Sequence, residues 1–355
     1  MYPRLNINLT KLKANLDTLC SMCREQNIGT AIVTKVFCAD EKICELIEKS
    51  DADMFADSRI ENLMAIKTDK PKLLLRLTMP SAVDKTVKYA DISMQSELHT
   101  VKLLAEAAKR LGKKHKVILM IDLGDLREGI FFENTEKIFE TAEFIVNDPW
   151  LELYGTGTNL TCYGGILPDS TNLGNLIAVS RRIEEKFGIS LSVISGGNSS
   201  TMTMLKRKEV PAGITNLRLG ESFVLGNDTS TGLPMEELFT DAFTLEAEIV
   251  ELQRKPSKPI GHSGPNAFGE YVEFEDKGEM LRGILAIGRQ DVIAEGISPT
   301  DENIQVIGAS SDHLLVDLTA ARGYNVGDVL SFVPDYGALL RLCTSKYVQR
   351  IYTTM

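Results

Sequence analysis

Ala31-Ile32-Val33-Thr34-Lys35 is the first of eight short β-rich runs that alternate with amphipathic helical segments from about residue 30 to about residue 220. The runs lie at residues 31–35, 53–56, 72–77, 91–94, 116–121, 151–156, 190–195 and 215–219. Strands that alternate with helices form a parallel sheet, and eight of them can close into a barrel with the helices outside. The pattern predicts an N-terminal (β/α)8 TIM-like barrel, and a doubly wound sheet is the alternative topology.

The sequence changes in character after about residue 235. Runs that alternate apolar and polar residues, separated by glycine and proline, occur at residues 242–253, 280–289, 304–308, 313–318 and 328–333. An alternation with period two is typical of strands that bury one face. We therefore predict a barrel over residues 1–230 and a mainly antiparallel β domain over residues 235–355, with a linker at 226–234 that is rich in Gly, Thr and Ser.

Composition limits the class of protein and of partner. The 355 residues are 43% hydrophobic and 25% charged, which is typical of a soluble globular protein. A net charge of -10 argues against nucleic acid and anionic membranes as partners, and no apolar stretch is long enough to span a bilayer. Six cysteines show no paired framework, and nothing completes a zinc site around Cys20 and Cys23. We expect a reduced, cytoplasmic setting and no metal.

Lys35 is the first candidate catalytic residue because it closes a run that is predicted to be buried. Burial disfavours a charged ammonium, and a neutral amine can form a Schiff base with an aldehyde cofactor such as pyridoxal 5'-phosphate. A lysine that leaves the strand end for solvent is the alternative. In a barrel of this kind the chemistry lies at the C-terminal ends of the strands, and the other distinctive segments of this chain all follow predicted strands.

Three of these segments suit anionic ligands. Residues 195–201 follow the seventh strand and open a helix, so their glycines and backbone N–H groups suit a phosphate, and Ser199 adds a hydroxyl. Residues 218–220, Arg-Leu-Gly, bring a guanidinium and an accessible backbone N–H to the end of the eighth strand. Arg127, in the loop after the fifth strand, suits a carboxylate. The alternative interpretations are a capped turn for residues 195–201, a surface arginine for Arg218 and a solvated charged loop for the segment around Arg127.

The chain resembles the alanine racemase family of fold-type III pyridoxal-phosphate enzymes over essentially its whole length. The shared positions are Ile7–Leu16, Lys35, Asn198-Ser199, Arg218-x-Gly220, Ser311-Asp312-His313 and Asp335-Tyr336. Within the family, it is most similar to the ornithine racemase branch in the segments DLGDLREG (122–129), NLTCYGG (159–165), SGGNSS (195–200), AIGRQD (286–291) and GASSDH (308–313).

The resemblance implies an isomerase that interconverts L- and D-amino acids with pyridoxal 5'-phosphate, and it makes Lys35 both the Schiff-base lysine and one of two catalytic bases. It further assigns residues to the cofactor, which are Lys35, Asn159, Asn198, Ser199, Arg218, Gly220, Glu221 and Tyr336. It assigns residues to the substrate, which are Arg127, Asp312 and His313. Arg218 faces the pyridine nitrogen in this assignment, and because arginine only donates hydrogen bonds, that nitrogen stays unprotonated.

The second base comes from the C-terminal domain of the partner subunit in this family, where it is a tyrosine, so the resemblance implies a homodimer with the active site at the interface. This sequence departs from the pattern there. Alignment through residues 255–261 places His262 at the tyrosine position, whereas counting back from residues 286–288 leads to Tyr271. A histidine is chemically suited because its ring titrates near neutral pH. Both residues remain candidates, and a loop histidine without a role is the alternative for His262.

Two further departures bear on the substrate. Asn159 stands where the family has a histidine beside the cofactor ring, and residues 36–39 lack the family's Asn-Ala-Tyr pattern. Both argue against alanine. The resemblance to the ornithine racemase branch and the acidic net charge suggest ornithine or another basic amino acid, whose second ammonium would be bound by Asp125, Glu128 or Asp312. An alanine or broad-specificity racemase and a non-catalytic PLP-binding homeostasis protein remain alternatives. A fold-type III decarboxylase is disfavoured because it would have a carboxylate in the place of Arg218.

Overall fold

The protein is described by a computed structural model that covers residues 1–354. The chain begins with β1 (Arg4–Asn8) and α1 (Leu9–Arg24). It forms two compact units, of which one is Leu12–Thr240 and the other combines Met1–Lys11 with the chain from Asp241 onwards. The predicted boundaries assign the first eleven residues to the barrel, whereas the structure groups them with the C-terminal unit because β1 pairs with strands of that unit.

The unit Leu12–Thr240 is built on parallel strands. They are β2 (Gly29–Val33), β3 (Met54–Asp57), β4 (Lys72–Leu74), β5 (Ile92–Gln95), β6 (His115–Asp122), the short β7 (Ile130–Phe131), β8 (Leu151–Gly157), β9 (Val193–Ser195) and β10 (Asn216–Leu219). Within the described residues, β7 pairs only with β6, and the other eight strands close into a ring through the pairs β5–β6 and β10–β2. This confirms the predicted (β/α)8 barrel.

Helices connect the strands of this unit. They are α2 (Glu41–Glu48), α3 (Ile60–Ala65), α4 (Val83–Tyr89), α5 (Leu98–Leu111), α6 (Thr135–Asn147), α7 (Ser170–Phe187), α8 (Met202–Arg207) and α9 (Glu221–Leu225), with 3-10 turns at Lys35–Phe37, Pro80–Ala82 and Ser199–Thr201. The stretch predicted as a linker folds partly as a hairpin of β11 (Asn227–Asp228) and β12 (Leu233–Pro234) that belongs to the same unit.

A buried apolar cluster joins the barrel strands. It contains Ala31, Val33, Met54, Ala56, Leu73, Ile92, Met94, Ile118, Met120 and Val193. Because successive strand residues point to opposite faces, the intervening Ile32 and Phe55 lie on the other face of the sheet, and both are fully buried as well. Burial of both faces explains why the strands read as nearly continuous apolar runs in the sequence.

The C-terminal unit is an antiparallel sheet with one helix among its described residues. Its further elements are β13 (Phe243–Pro256), β14 (Glu279–Leu285), β15 (Ile297–Pro299), β16 (Gln305–Ala309), β17 (Leu314–Asp317), β18 (Val329–Pro334), α10 (Tyr336–Thr344) and β19 (Gln349–Thr353), with a 3-10 turn at Ala294–Gly296. The strand order is β15-β18-β13-β14-β17-β16, and β1 joins the sheet antiparallel to β13 and parallel to β19. The predicted mainly antiparallel β domain is confirmed. Residues 257–278 form an exposed loop between β13 and β14.

Across residues 1–354, no helix combines the length and the apolar character needed to cross a membrane. The same residues contain no group of three or more His, Cys, Asp or Glu side chains that could hold a metal ion. The six cysteines are all free thiols.

His115 makes the stability of the barrel unit depend on pH. Its ring is fully buried at the start of β6, with Nε2 2.8 Å from Ser93 Oγ. Burial, reinforced by the charge of Lys113, lowers the pKa of His115 from 6.5 to about 4. The folded protein therefore keeps the ring neutral where the unfolded chain takes up a proton, so stability falls as the pH drops from about 6.5 to about 4, by up to roughly 3 kcal/mol.

Denaturant unfolding midpoints measured across this pH range will show the loss. A His115→Gln variant should lack this pH-dependent component, and His99→Gln, at an exposed position, should retain it. Identical pH profiles for the wild type and His115→Gln would contradict the assignment.

Candidate active site

Lys35 lies just beyond the carboxyl end of β2. The sequence places it at the end of the strand, but the strand ends at Val33, and Lys35 begins the 3-10 turn Lys35–Phe37. The chain turns there because Thr34 adopts helical dihedral angles and its hydroxyl donates to Asp57 Oδ2 at 2.6 Å. The turn ends in Cys38 at φ 54°, a left-handed conformation that is uncommon for a residue other than glycine.

Arg218 lies on β10, next to β2 in the ring, and only 4% of it is exposed. Its guanidinium donates to Ser195 Oγ at 2.6 Å and to the carbonyl of Thr158 at 2.7 Å. Burial lowers the pKa of Arg218 to about 10, so the side chain still carries its charge at neutral pH. The surface position that was the alternative for this arginine is wrong. A buried arginine held by its neighbours presents a fixed, donor-only group.

Ser199 joins the loops that follow β9 and β10. Its hydroxyl oxygen accepts hydrogen bonds from the backbone N–H groups of Gly220 and Ser222, both at 3.2 Å. Gly220 packs tightly on the end of β2, since a Cβ there would lie 3.1 Å from Val33 Cβ. The cap of the 3-10 turn is Asn198, whose side chain accepts from Ser200 N at 2.8 Å. Backbone N–H groups, a hydroxyl and a missing side chain together suit a phosphate.

Asn159 completes this cluster. Its Oδ1 lies 3.3 Å from Asn198 Nδ2 and 3.5 Å from a guanidinium nitrogen of Arg218. Hydrogen bonds and chain adjacency thus connect a set of predicted cofactor residues, which are Asn159, Asn198, Ser199, Arg218 and Gly220. The sequence predicted this convergence from the position of each segment after a barrel strand.

Unsatisfied polar atoms surround the same cluster. Asn159 Nδ2, Thr158 Oγ1 and Ser200 Oγ are buried and have no hydrogen-bond partner in the described part of the chain. Each such group costs about 1–3 kcal/mol when it is left unpaired, so native proteins rarely leave several together without a ligand. A ligand with several acceptor atoms, such as a phosphorylated pyridine, fits this donor set.

Arg127 and Glu128 form an ion pair in the loop after β6. Arg127 contacts both carboxylate oxygens of Glu128, and 14% of the Glu128 side chain is exposed against 41% of the Arg127 side chain. The charges of both residues act on Arg218. Glu128 raises the pKa of Arg218 and Arg127 lowers it, and burial changes that pKa more than either of them does. Arg127 is therefore placed beside the cluster as expected, but it is already paired with a carboxylate.

Asp125 does not have the role that the sequence suggested. It is fully buried, and its carboxylate accepts four backbone N–H groups at 3.0 to 3.2 Å, from residues 161, 163, 164 and 166. Its oxygens are therefore used within the protein, and the hypothesis that Asp125 binds a substrate ammonium is wrong. Asp125 instead fixes the loop that follows β8 and carries Cys162. No local signal in the sequence links these two loops.

Replacing Asp125 with asparagine should loosen this loop. The amide offers one acceptor oxygen, and its NH2 group would face backbone donors, so we expect a loss of about 2–3 kcal/mol in unfolding free energy. Chemical denaturation will measure the loss, and limited proteolysis should cut within residues 161–166 faster than in the wild type. Asp69→Asn makes the same chemical change at an exposed position and is the control. Unchanged stability and unchanged cleavage would contradict this role.

The C-terminal unit holds the remaining predicted residues. Tyr336 is the first residue of α10, which Asp335 caps by accepting from Ala338 N at 2.7 Å. Asp312 and His313 lie in the exposed turn between β16 and β17. The two candidate bases, His262 and Tyr271, share the exposed loop between β13 and β14, where 81% of Tyr271 is exposed.

The side chain of Arg289 holds part of the loop between β13 and β14. Arg289 contacts both carboxylate oxygens of Glu270 at 3.3 Å, and its guanidinium lies 4.5 Å from the ring centroid of Phe268. Sequence reasoning did not assign a role to Arg289, although it lies in the segment 286–291 that resembles the ornithine racemase branch.

Comparison with known proteins agrees with this fold. The chain is 44% identical to an ornithine racemase of Acetoanaerobium sticklandii over 352 residues, which covers 99% of both chains. It is 36% identical to a lysine racemase of Thermotoga maritima over 355 residues, again 99% of both. Among solved structures, an alanine racemase of Clostridium difficile 630 superposes with a TM-score of 0.72 at 20% identity, covering 100% of this chain and 96% of that one.

The family assignment rests on the match to the alanine racemase N-terminal domain and on these full-length relatives. The match covers residues 7–227, which include the whole barrel and the cluster around Arg218. Enzymes of this family depend on pyridoxal 5'-phosphate. The chain therefore belongs to the alanine racemase family.

Proposed function

We propose that this protein is a pyridoxal-phosphate-dependent racemase of ornithine or another basic amino acid. The observation that carries the proposal is the cluster around Arg218, in which a buried donor-only cation adjoins buried polar atoms that have no hydrogen-bond partner among the described residues. The substrate class is supported by two full-length relatives, which are an ornithine racemase and a lysine racemase.

Residues of this chain would bind the cofactor and control its chemistry. The cofactor would be held by Lys35 through its amine and by a further set, which is Asn159, Asn198, Ser199, Arg218, Gly220, Glu221 and Tyr336. Pyridoxal phosphate supplies an electron-withdrawing ring that makes the α-proton of a bound amino acid acidic. Arg218 keeps its protons near neutral pH, so it would donate a hydrogen bond to the cofactor ring without protonating it. A ring without that proton would withdraw electrons more weakly, which would favour a brief proton exchange over longer reactions.

Two bases are needed because racemisation removes a proton from one face and returns it to the other. Lys35 Nζ would serve one face. His262 or Tyr271 would serve the other from the second subunit of a homodimer, whose active site would then lie at the interface. Arg127 would bind the substrate carboxylate, and Asp312 and His313 would lie near the substrate. We place the enzyme in the cytoplasm, in keeping with its six free thiols.

The test is racemisation of single enantiomers by the purified protein with added pyridoxal phosphate. L-ornithine, L-lysine, L-alanine and L-serine are incubated separately, and chiral chromatography measures the D-enantiomer. We expect ornithine or lysine to give the highest kcat/KM. A higher kcat/KM for alanine would replace the substrate assignment, carbon dioxide release would indicate a decarboxylase, and no product from any substrate would support a non-catalytic carrier.

Glu128 is the carboxylate of the barrel unit that best suits a second substrate ammonium. It is mostly buried beside Arg127, and a carboxylate that binds two guanidinium N–H groups still has lone pairs for another donor. We expect Glu128→Gln to lower the ratio of kcat/KM for ornithine to kcat/KM for alanine by about tenfold. Glu133→Gln, in an exposed segment of the same loop region, is the control. An equal loss for both substrates would mean that Glu128 only supports Arg127.

A further inference from the structure

A buried carboxylate lies at the end of the strand next to β2, which leads into Lys35, and has no role in the proposed racemisation. Asp57 ends β3, the neighbour of β2 in the ring, and it is fully buried. We propose that Asp57 is a positioning residue for Lys35: its carboxylate holds Thr34, the residue before the lysine, and acts electrostatically on the lysine ammonium. This inference rests on the proposed function in taking Lys35 as the reactive amine.

The contacts of Asp57 come from both sides of the turn. Oδ2 accepts from Thr34 Oγ1 at 2.6 Å and from Asn62 Nδ2 at 3.1 Å, and Oδ1 accepts from the backbone N–H of Arg59 at 2.7 Å. Three donors face the carboxyl group, which is the arrangement that an ionised carboxylate requires.

Thr34 transmits this contact to Lys35. Its backbone N–H donates to Ala56 O at 2.9 Å, and its hydroxyl binds Asp57. Both groups tie Thr34 to the end of β3 one residue before Lys35. The direction in which the 3-10 turn leaves the barrel, and with it the lysine, is thus set by β3.

Charge couples the two side chains as well. Burial raises the pKa of Asp57, whereas the hydrogen bond from Thr34, those from Arg59 N and Asn62, and the charge of Lys35 all oppose that rise. Two further titratable groups nearby, Asp40 and Cys44, lie on or next to α2. Burial raises the pKa of Cys44 to about 12, and the charges of Asp40 and Asp57 contribute to that rise. In general, an anion within electrostatic range of an amine favours the protonated form of that amine. In a two-base exchange Lys35 has to hold a proton in one half of each cycle.

A purely structural role for Asp57 is the alternative, since its contact with Arg59 N also starts α3. The two roles differ in what they predict for the lysine. A structural role changes stability alone, whereas a positioning role changes the pH at which the Lys35 amine reacts.

The experiment is reductive methylation of the full-length protein without added cofactor, across a pH series. Mass spectrometry follows Lys35 and, in the same sample, the exposed Lys85 as an internal reference. In folded Asp57→Asn, we expect the pH midpoint for labelling of Lys35 to fall by about half a unit to one unit, while that of Lys85 stays constant. An unchanged Lys35 midpoint in the folded variant would overturn the proposal.

Thr34 variants keep the proposal testable if Asp57→Asn does not fold. Thr34→Val breaks the contact but leaves the carboxylate, and Thr34→Ser restores the hydroxyl. With pyridoxal phosphate and the best substrate, we expect kcat to fall about tenfold in Thr34→Val with KM within twofold, and to recover in Thr34→Ser. A Thr34→Val enzyme equal to the wild type would overturn the proposal. If the wild type racemises nothing, the proposed function fails, while the labelling series still decides the role of Asp57.

Discussion

Replacing Lys35 with alanine should abolish racemisation, with kcat reduced by about three orders of magnitude or more. The variant loses both the amine that would hold the cofactor and the base that serves one face of the substrate, and these losses fall on the same chemical step. Chiral chromatography with ornithine or lysine measures the remaining rate. Because Lys35 begins a short turn at the surface end of the barrel, we expect the fold to tolerate the change.

The control for this variant is Lys85→Ala, which removes an exposed lysine of α4. Exchange of the substrate α-proton with deuterated solvent adds a second measurement. If Lys35 serves one face, its loss should remove that exchange for one enantiomer more completely than for the other. Activity within tenfold of the wild type in Lys35→Ala would exclude Lys35 as the catalytic lysine.

Replacing Arg218 with lysine should lower kcat by about a hundredfold although the positive charge is retained. A lysine ammonium cannot reproduce the planar guanidinium that reaches Ser195 Oγ and the Thr158 carbonyl at once, so the donor that would bind the cofactor is lost or misplaced. The same change leaves buried acceptors unpaired and should cost about 1–3 kcal/mol in stability.

Steady-state kinetics and denaturant unfolding of the same preparations separate the two effects of Arg218→Lys. The control is Arg110→Lys, at an exposed arginine that pairs with Asp84 on the surface. A variant that is folded and retains the wild-type kcat would show that Arg218 only supports the barrel.

Much of the fold was predictable because both faces of the barrel strands are buried. Ala31 and Val33 pack in one apolar cluster and Ile32 is buried on the other face. The run is therefore apolar throughout, and it can be identified as a strand from the sequence alone. Strand ends were less predictable. The third run was expected at residues 72–77, but β4 ends at Leu74, because hydrogen bonds to neighbouring strands define where a strand stops.

Asp125, whose role the sequence misjudged, and Asp57, for which the sequence suggested no role, both depend on long-range contacts. Asp125 binds N–H groups 36 to 41 residues further along the chain, and Asp57 binds Thr34, 23 residues earlier. Nothing in the local sequence around either aspartate distinguishes it from one that faces solvent or a substrate. The first eleven residues were assigned to the barrel for the same reason, since the partners of β1, which are β13 and β19, lie more than two hundred residues away.

The sequence by itself determined the barrel, the antiparallel sheet and the candidate residues Lys35, Ser199, Arg218 and Gly220, because hydrophobic periodicity and position after a strand are local properties. Only the tertiary structure decided which polar groups are already used and which remain available. It showed that backbone donors saturate Asp125 and that Arg127 is paired with Glu128. It also showed that the buried amide nitrogen of Asn159 has no hydrogen-bond partner among the described residues. Burial and hydrogen-bond saturation arise from residues that are distant in the chain, so no local pattern can report them.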